Sequence, residues 1–204
     1  MSVMHAPSPT RRGRRVASRA LLGAVALVAA VASLVGAPTA SQAATLGTYD
    51  YLLAPSTTCA NQDDYRLSVA TQKQAMYCLI DYARARQGVG VVKPSTVLDQ
   101  SAQRKAQDIV DCNQFSHYAC GRSFDYWIKA YGYTGRRWAE NIAWGSNSGA
   151  RSTPHNIMRA WLHSDGHRIN LLNPSYDARG VGLVKARFQG YDAGIWVQHF
   201  GGSR

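Results

Sequence analysis

Apolar residues repeat with helical spacing in two long segments of the chain. Over residues 65–87 they fall mostly three and four positions apart, and glycines follow at 88 and 90, which predicts a helix ending there. A second helix is predicted after Ser95, a residue type that suits the helix N-cap. Its apolar side carries Val97, Leu98, Ala102, Ala106, Ile109 and Val110, and its opposite side carries Gln103, Lys105, Gln107 and Asp108.

Shorter patterns follow in the second half of the chain. Residues 124–131 predict a short aromatic helix, and Thr153 before Pro154 predicts another helix, which runs to about His163. Three apolar runs predict buried strands, at residues 140–144, 180–188 and 194–200. The helices precede most strands without regular βαβ alternation, so the pattern predicts an α+β domain. About four helices should flank an antiparallel sheet of about three strands.

The first 43 residues have the pattern of a secretory signal peptide. Five arginines stand within residues 11–19, an apolar run covers 20–37, and Ser41-Gln42-Ala43 offers the small residues that a signal peptidase reads. Cleavage is expected after Ala43, with Pro38-Thr39-Ala40 as the alternative site. A retained membrane anchor is the alternative interpretation of the same run.

Cleavage would leave a secreted, moderately basic protein. Residues 44–64 are predicted to be an extended lead-in, and residues 65–204 one domain without a transmembrane segment. The formal net charge of the chain is +11, and loss of the five N-terminal arginines leaves +6. This charge suggests attraction to anionic cell-wall polymers or lipid headgroups, although an ordinary solvated surface explains it equally well. No run of lysines and arginines in residues 44–204 indicates nucleic-acid binding.

All four cysteines lie after the predicted cleavage site, at positions 59, 78, 112 and 120. An even number in an oxidising compartment predicts two disulfides, for which three pairings exist. We favour Cys59–Cys78 and Cys112–Cys120 because each pair is close in sequence, and the second would enclose His117. No Cys-x-x-Cys spacing supports a zinc ribbon.

Three segments carry the residues that could perform chemistry. Glu140 is the only glutamate of the chain and lies between Trp138 and Trp144, where burial would require a cation, a metal or hydrogen-bond donors. A structural carboxylate bonded to backbone groups is the alternative. His117 and His167 lie in two other segments. The remaining histidines of residues 44–204 are predicted to be structural or at the surface: His155, His163 and His199.

Two kinds of chemistry are consistent with these residues. His117 and His167 could bind zinc weakly, with Glu140 accepting a hydrogen bond from a histidine or a metal-bound water. Ser164, His167 and Glu140 could instead form a nucleophile, base and acid of a hydrolase. The sequence contains no His-Glu-x-x-His helix, no Gly-x-Ser-x-Gly elbow and no phosphate-binding glycine loop, which disfavours the commoner hydrolase and nucleotide-binding classes.

The order and spacing of these segments resemble the CAP superfamily of cysteine-rich secretory proteins, antigens and pathogenesis-related proteins, and in particular its secreted bacterial branch. The matching segments run from about Met76 to Gly201. They are Ile80-Asp81-Tyr82-Ala83-Arg84, Phe115-Ser116-His117, Gly132-Tyr133, Ala139-Glu140-Asn141-Ile142-Ala143, Trp161-x-x-Ser164-x-Gly166-His167-Arg168-x-Asn170, Gly180-Val181-Gly182 and Trp196-Val197-Gln198-His199-Phe200-Gly201.

This resemblance implies an α-β-α sandwich with a cleft that holds two histidines and two acids. His117 and His167 match the histidines and Glu140 matches the first acid, whereas Ser164 stands where animal and plant members have the second. The loss of that carboxylate makes tight metal binding less favourable. Glu140, Ser164 and Asn141 are expected to lie in or behind the cleft.

The function expected from these observations is that of a secreted, non-catalytic binding module. Its ligand would be a lipid or sterol, a cell-envelope polymer or a protein partner, because the family is associated with binding more than with one reaction. A purely structural or defence-type extracellular domain is the second hypothesis, and a hydrolase that uses Ser164, His167 and Glu140 is the third. Beyond weakly bound zinc, no cofactor is expected.

Overall fold

A computed structural model describes residues 49–203 of the chain. The predicted signal peptide, its alternative cleavage site and the alternative membrane anchor lie outside these residues. Within residues 49–203, no helix is both long enough and apolar enough to cross a bilayer.

Five α-helices and four β-strands form the described part of the chain. The helices are α1 (Val69–Arg86), α2 (Thr96–Asp111), α3 (Tyr126–Ala130), α4 (Pro154–Leu162) and α5 (Asp165–Leu172). The strands are β1 (Lys93–Pro94), β2 (Arg137–Ser146), β3 (Ala178–Phe188) and β4 (Tyr191–Gly202). Single 3-10 turns occur at Asp50–Leu52, Ala119–Gly121 and Ser148–Ala150.

The strands form one sheet in the order β1-β3-β4-β2, and helices cover both of its faces. The β2–β4 and β3–β4 pairs are antiparallel, whereas the two-residue β1 is parallel to β3. The predicted α+β class and sandwich architecture are therefore confirmed. The counts of about three strands and four helices were each one too low, because β1 and α5 carry little periodic signal.

Two hydrophobic clusters, one on each face of the sheet, make up the core. On one face α1 and α4 pack around Trp161, Trp196 and Phe200, and on the other α2 packs against Ile195 and Val197. Helix α2 approaches β3 closely because that strand has glycines facing it. A Cβ at Gly182 would collide with the main-chain carbonyl group of Ala102, so only glycine permits this approach.

Side chains of α2 also cover part of the outer edge of β3. Asp99 accepts a hydrogen bond from the backbone N–H of Val181 at 2.8 Å. Gln103 accepts from the N–H of Leu183 at 3.1 Å and donates to its carbonyl at 3.1 Å. The amide and carboxylate of a helix thus take the place of a neighbouring strand.

The start of the domain differs from the sequence prediction. The lead-in was predicted to be extended, but residues 49–64 form a series of turns in which Leu52, Ala54 and Cys59 join the core. Helix α1 begins at Val69 and not at residue 65, because the Ser68 hydroxyl accepts the N–H of Thr71 and caps it there. The predicted caps of α2 and α4, Ser95 and Thr153, are confirmed.

Helix α2 differs from the prediction in a way that matters for function. Lys105 and Asp108 were placed on its polar, solvent-facing side, but both side chains are buried. Residues 112–126, which follow the helix, fold back over this side and supply one hydrogen-bond partner to each group, the His117 carbonyl to Lys105 and the Arg122 guanidinium to Asp108.

Arg84, at the end of α1, is a buried cation that binds main-chain carbonyls and no carboxylate. Its guanidinium donates to the carbonyls of Gly90, Leu171, Asn173 and Tyr176 at 2.7, 2.7, 3.0 and 3.2 Å. Burial lowers the pKa of Arg84, and the charge of Asp81 opposes that shift. The arginine therefore fixes the segment between α5 and β3 against α1.

Replacing Arg84 with methionine should destabilise the protein by about 3–5 kcal/mol, because several buried carbonyls would lose their donor at once. Chemical denaturation of the Arg84→Met variant measures this change. The exposed neighbour Arg86 provides a matched control, since Arg86→Met should alter the free energy of unfolding by less than about 0.5 kcal/mol. Equal effects of the two substitutions would contradict the assigned role.

Candidate binding site

Glu140 is a buried carboxylate on the face of β2 that packs against α2, and the other residues of the candidate site lie around it. The antiparallel register sets it directly opposite His199 of β4, so both side chains lie on the same face of the sheet. The residue is only 6 % exposed. Its Oε1 accepts a hydrogen bond from His117 Nδ1 at 2.7 Å, and its Oε2 accepts one from His199 Nε2 at 2.9 Å.

These bonds decide the ionisation of Glu140. Burial acts to raise the pKa of the carboxyl, but the hydrogen bonds from His117 and His199, together with the charge of Lys105, lower it below its ordinary value. Glu140 is therefore ionised at neutral pH, and both of its oxygens are already engaged as acceptors.

His199 extends the hydrogen-bonded chain into α2. An ionised carboxylate only accepts, so His199 must carry a proton on Nε2. Its Nδ1 lies 2.7 Å from the hydroxyl of Ser101, which also lies 2.9 Å from the carbonyl of Leu98. The hydroxyl can donate to a neutral ring, or accept from a protonated ring while donating to Leu98. Ser101 thus satisfies His199 in either protonation state.

The loop between α2 and α3 presents His117 to solvent. The disulfide Cys112–Cys120 closes this loop, and Lys105 Nζ donates to the carbonyl of His117 at 2.6 Å. Burial lowers the pKa of Lys105, while Glu140 and Asp108 oppose that shift. The His117 side chain is 46 % exposed. Because Nδ1 donates to Glu140, Nε2 is the ring nitrogen left for another partner.

His167 lies in α5, at the edge of β2. Asn141 Nδ2 donates to the main-chain carbonyl of His167 at 3.1 Å, and Asn170 Nδ2 donates to Asn141 Oδ1 at 2.9 Å and to the carbonyl of Glu140 at 3.3 Å. Burial, followed by the charge of His117, lowers the pKa of His167. The ring is therefore neutral at neutral pH.

The structure joins some of the predicted site residues and separates others. Glu140 is hydrogen-bonded to His117 but not to His167, because its two oxygens accept hydrogen bonds from His117 and His199. Ser164 caps α5 without a side-chain hydrogen bond to the helix, and no hydrogen bond links it to His167 in the described residues. Nowhere in residues 49–203 do three His, Cys, Asp or Glu side chains gather in a group that could hold a metal ion.

Sequence reasoning missed three members of this cluster, His199, Ser101 and Lys105. The alternation of β4 does place His199 in phase with the buried Ile195 and Val197, which is a signal that it faces inward. The partner of that histidine follows only from the register of β2 against β4. Both disulfides formed with the favoured pairing, Cys59–Cys78 and Cys112–Cys120.

A pocket of about 410 Å³ opens above the His117–Glu140 pair. Asn170 and Ala139 contribute to its lining, and four aromatic side chains surround the polar floor. These aromatic residues are Tyr118, Phe124, Trp138 and Tyr176. Two of the rings contact residues outside the pocket lining, since Lys129 lies 5.5 Å from the centroid of Trp138 and Tyr176 stacks on Phe200 at 5.4 Å.

The fold and this arrangement define a CAP domain, and comparison with known proteins agrees. The sequence profile of the Cysteine-rich secretory protein (CAP) family matches residues 77–200, more than half of the chain. The chain therefore belongs to the CAP family. It is 34% identical over 135 residues to an uncharacterized protein, YkwD, of Bacillus subtilis (strain 168). That match covers 65% of this chain and 48% of YkwD, so it spans about half the length of that relative.

Solved structures of the same fold come from other bacteria. An outer surface protein of Borrelia burgdorferi matches with a TM-score of 0.59 and 20% identity over 68% of this chain and 97% of that one. An extracellular protein containing an SCP domain from Bacillus anthracis str. Ames matches with a TM-score of 0.51 and 22% identity, over 67% of this chain and 44% of that one. These similarities establish the fold.

Replacing His199 with leucine should destabilise the protein by about 2–4 kcal/mol, because the buried charge of Glu140 would lose one of its two donors. The same substitution combined with Glu140→Gln should cost less than the sum of the two single changes, since the neutral amide needs less compensation. Urea denaturation of the two single variants and the double variant tests this. Additive losses would contradict the assignment of the charge as the cause.

Removing the disulfide of the His117 loop should loosen the histidine as well as the fold. The Cys112→Ser/Cys120→Ser variant is expected to lose about 2–3 kcal/mol of stability, the loop-closure entropy of a short loop. The proton on His117 Nδ1 should then exchange faster with water in NMR spectra. Cys59→Ser/Cys78→Ser is the control, because that disulfide joins the turns of residues 49–64 to α1 and its loss should leave the His117 signal unchanged. A signal unaffected by loss of Cys112–Cys120 would contradict this role.

Proposed function

We propose that this CAP-domain protein is a secreted, non-catalytic binding module whose pocket above His117 and Glu140 holds a ligand from the cell envelope or its surroundings. The observation that carries the proposal is the pocket itself, an open cavity that four aromatic side chains line together with a small number of polar groups. Such a combination suits a ligand with an apolar ring or chain and one polar end, such as a fatty acid or a sterol.

The polar floor supports binding more than catalysis. Both oxygens of Glu140 are engaged by histidines, so the carboxylate holds His117 in one orientation and offers little to a ligand directly. The His117 Nε2 and the side-chain oxygen of Asn170 can orient the polar end of a ligand, since the Asn170 NH2 group already donates to Asn141 and to the Glu140 carbonyl. A sterol hydroxyl would donate to these acceptors, and a fatty-acid carboxylate would instead accept from Nε2 of a protonated His117, while the apolar part of either ligand contacts the aromatic rings.

Secretion belongs to the same proposal. Two disulfides are typical of proteins that fold in an oxidising compartment. The structural relatives include a protein described as extracellular and one described as an outer surface protein. These observations support an extracellular location for this chain.

Binding of a fatty acid, a sterol and soluble cell-wall fragments to the purified protein tests the proposal, with tryptophan fluorescence as the readout. We expect one class to bind at micromolar concentration and Trp138→Ala to weaken it by tenfold or more, because the ring forms one wall of the pocket. Tyr191→Ala is the matched control, since that exposed aromatic residue lies outside the pocket.

Two results would contradict the proposal. Failure of every class to bind would remove the support for a binding module. If His117→Ala lowered the melting temperature but left any binding unchanged, the purely structural hypothesis would be favoured.

Weak zinc binding by His117 and His167 is part of the proposal as well. Zinc sites in proteins usually have three or four protein ligands. Among the described residues no third ligand joins His117 and His167, because serine stands at position 164 in place of an acid, and the binding should therefore be weak. Calorimetry should detect weak binding that His117→Ala abolishes. Binding that survives removal of both histidines would refute these ligands.

Hydrolysis is the second candidate function. The bond from His117 Nδ1 to Glu140 leaves Nε2 as an acceptor, which is the arrangement of a general base. The Ser164 hydroxyl is not hydrogen-bonded to His167 in the described residues. The triad of Ser164, His167 and Glu140 predicted from the sequence therefore has less support than a reaction in which His117 is the base. Labelling of the protein by a serine-directed probe, abolished in Ser164→Ala, would favour the hydrolase.

A further inference from the structure

Exposed aromatic rings concentrate in one short part of the described chain. Of the large apolar and aromatic side chains that are exposed, Phe115, Tyr118, Tyr126 and Tyr131 fall within residues 115–131. The others lie apart from one another in the sequence, at Tyr51, Val91, Ile169 and Tyr191. Helix α3 therefore presents tyrosine rings to solvent at its first residue and just after its last.

Two arginines lie against the rings of Tyr126 and Trp127 in α3, and a carboxylate that pairs with both is buried beneath them. Arg104 and Arg122 lie 5.0 and 5.3 Å from the centroid of Trp127, and Arg122 also pairs with Asp108 at 3.1 Å. The Asp108 side chain is only 1 % exposed. Outward from this layer, the surface shows guanidinium groups and aromatic rings but not this carboxylate.

Lys129 repeats the arrangement at the end of α3. It pairs with Asp125 at 2.5 Å, and the lysine side chain is 60 % exposed whereas that of Asp125 is 16 % exposed. The half-exposed Asp111, near Arg104, is the one exception among the acids that pair with these cations in the described part of the chain. An approaching molecule thus meets positive charge and π surfaces together.

A groove of about 450 Å³ continues this surface along α2. Gln100 and Gln107 line it beside Arg104 and Tyr131, so amides, a guanidinium and a tyrosine ring face the same space. The one carboxylate of this lining, that of Asp99, lies 3.8 Å from the ammonium group of Lys73, which also lines the groove. We call the set Arg104, Gln107, Arg122, Tyr126, Lys129 and Tyr131 the α3 surface. It shares no residue with the lining of the pocket above Glu140.

We propose that the α3 surface binds an anionic polysaccharide. Tyrosine rings stack on the apolar faces of sugar rings, and the amides of the groove exchange hydrogen bonds with hydroxyl groups. Arg104, Arg122 and Lys129 pair with the acidic groups that recur along the polymer. This site goes beyond the proposed function, because none of its residues lines the pocket and it needs no ligand there, although Lys129 contacts Trp138 at the pocket wall.

A sugar polymer fits this surface better than a lipid bilayer does. Insertion into a bilayer needs several apolar side chains that protrude, but Phe115 is the one exposed ring of residues 115–131 without a hydroxyl group, and Ile128 of α3 is fully buried. The indole N–H of Trp127 donates to Asp108 at 2.7 Å, which holds the ring beside the guanidinium groups of Arg104 and Arg122. The tyrosines keep hydroxyl groups at the surface, and the adjoining groove is concave.

Retardation of the native protein in gels containing polygalacturonate tests the proposal, with uncharged dextran as the comparison polymer. We expect the protein to bind polygalacturonate and not dextran. Added salt should weaken this binding, because the cations are exposed and their charges are screened. The Tyr126→Ala/Lys129→Ala/Tyr131→Ala variant should lose affinity at least tenfold while keeping its circular dichroism spectrum. Tyr51→Ala/Arg187→Ala/Tyr191→Ala is the matched control, since it also removes two exposed tyrosines and one exposed cation, and should change affinity less than twofold.

Several results would overturn the assignment. If the two triple variants lost affinity for polygalacturonate equally, the net charge of the protein alone would explain the binding. If dextran bound as tightly as polygalacturonate, the cations would have no role in recognition. Binding to vesicles of phosphatidylcholine and phosphatidylglycerol without binding to polygalacturonate would make the surface a membrane contact. Absence of polymer binding by the native protein would refute the site, whatever the pocket binds.

Discussion

The buried carboxylate of Glu140 is the interaction on which the site depends. Removing a charge from water is costly unless donors replace the water, and here two imidazole N–H groups do so. One donor belongs to β4 and the other to the loop between α2 and α3, while Ser101 connects the first to α2. A single charge thus ties together the sheet, the long helix and the disulfide-closed loop, and the position of His117 in the pocket follows from it.

Two buried cations complete this arrangement by binding main chain and not carboxylates. Lys105 holds the carbonyl of His117, and Arg84 holds carbonyls at the end of α1 and between α5 and β3. Both side chains donate to carbonyls that have no partner in a helix or a sheet. A buried carbonyl without a donor would lower the stability of the fold, so these two cations replace the missing backbone hydrogen bonds. The loops around the pocket are therefore fixed by specific polar bonds in addition to apolar packing.

The sequence predicted those features that depend on local chemistry. Ser95 and Thr153-Pro154 marked helix starts correctly because caps act on neighbouring residues, and short separations favoured the observed disulfides. Features that depend on distant partners were not predictable. Lys105 was assigned to solvent because its hydrophilicity gives no sign that a later loop will cover it. His199 was set aside because its role requires the β2–β4 register, and α5 was missed because its apolar face is narrow.

The covered sheet edges restrict how this protein can recognise others. Asp99 and Gln103 occupy the backbone groups of β3 at Val181 and Leu183, and Asn170 occupies the carbonyl of Glu140 on β2. A foreign peptide cannot extend the sheet at these positions by strand addition, which is a common route both to docking and to fibre formation. A partner that binds beside the pocket must therefore contact side chains and not the backbone of β2 at Glu140. Substitution of those side chains can change which partner is bound without breaking backbone hydrogen bonds of the sheet.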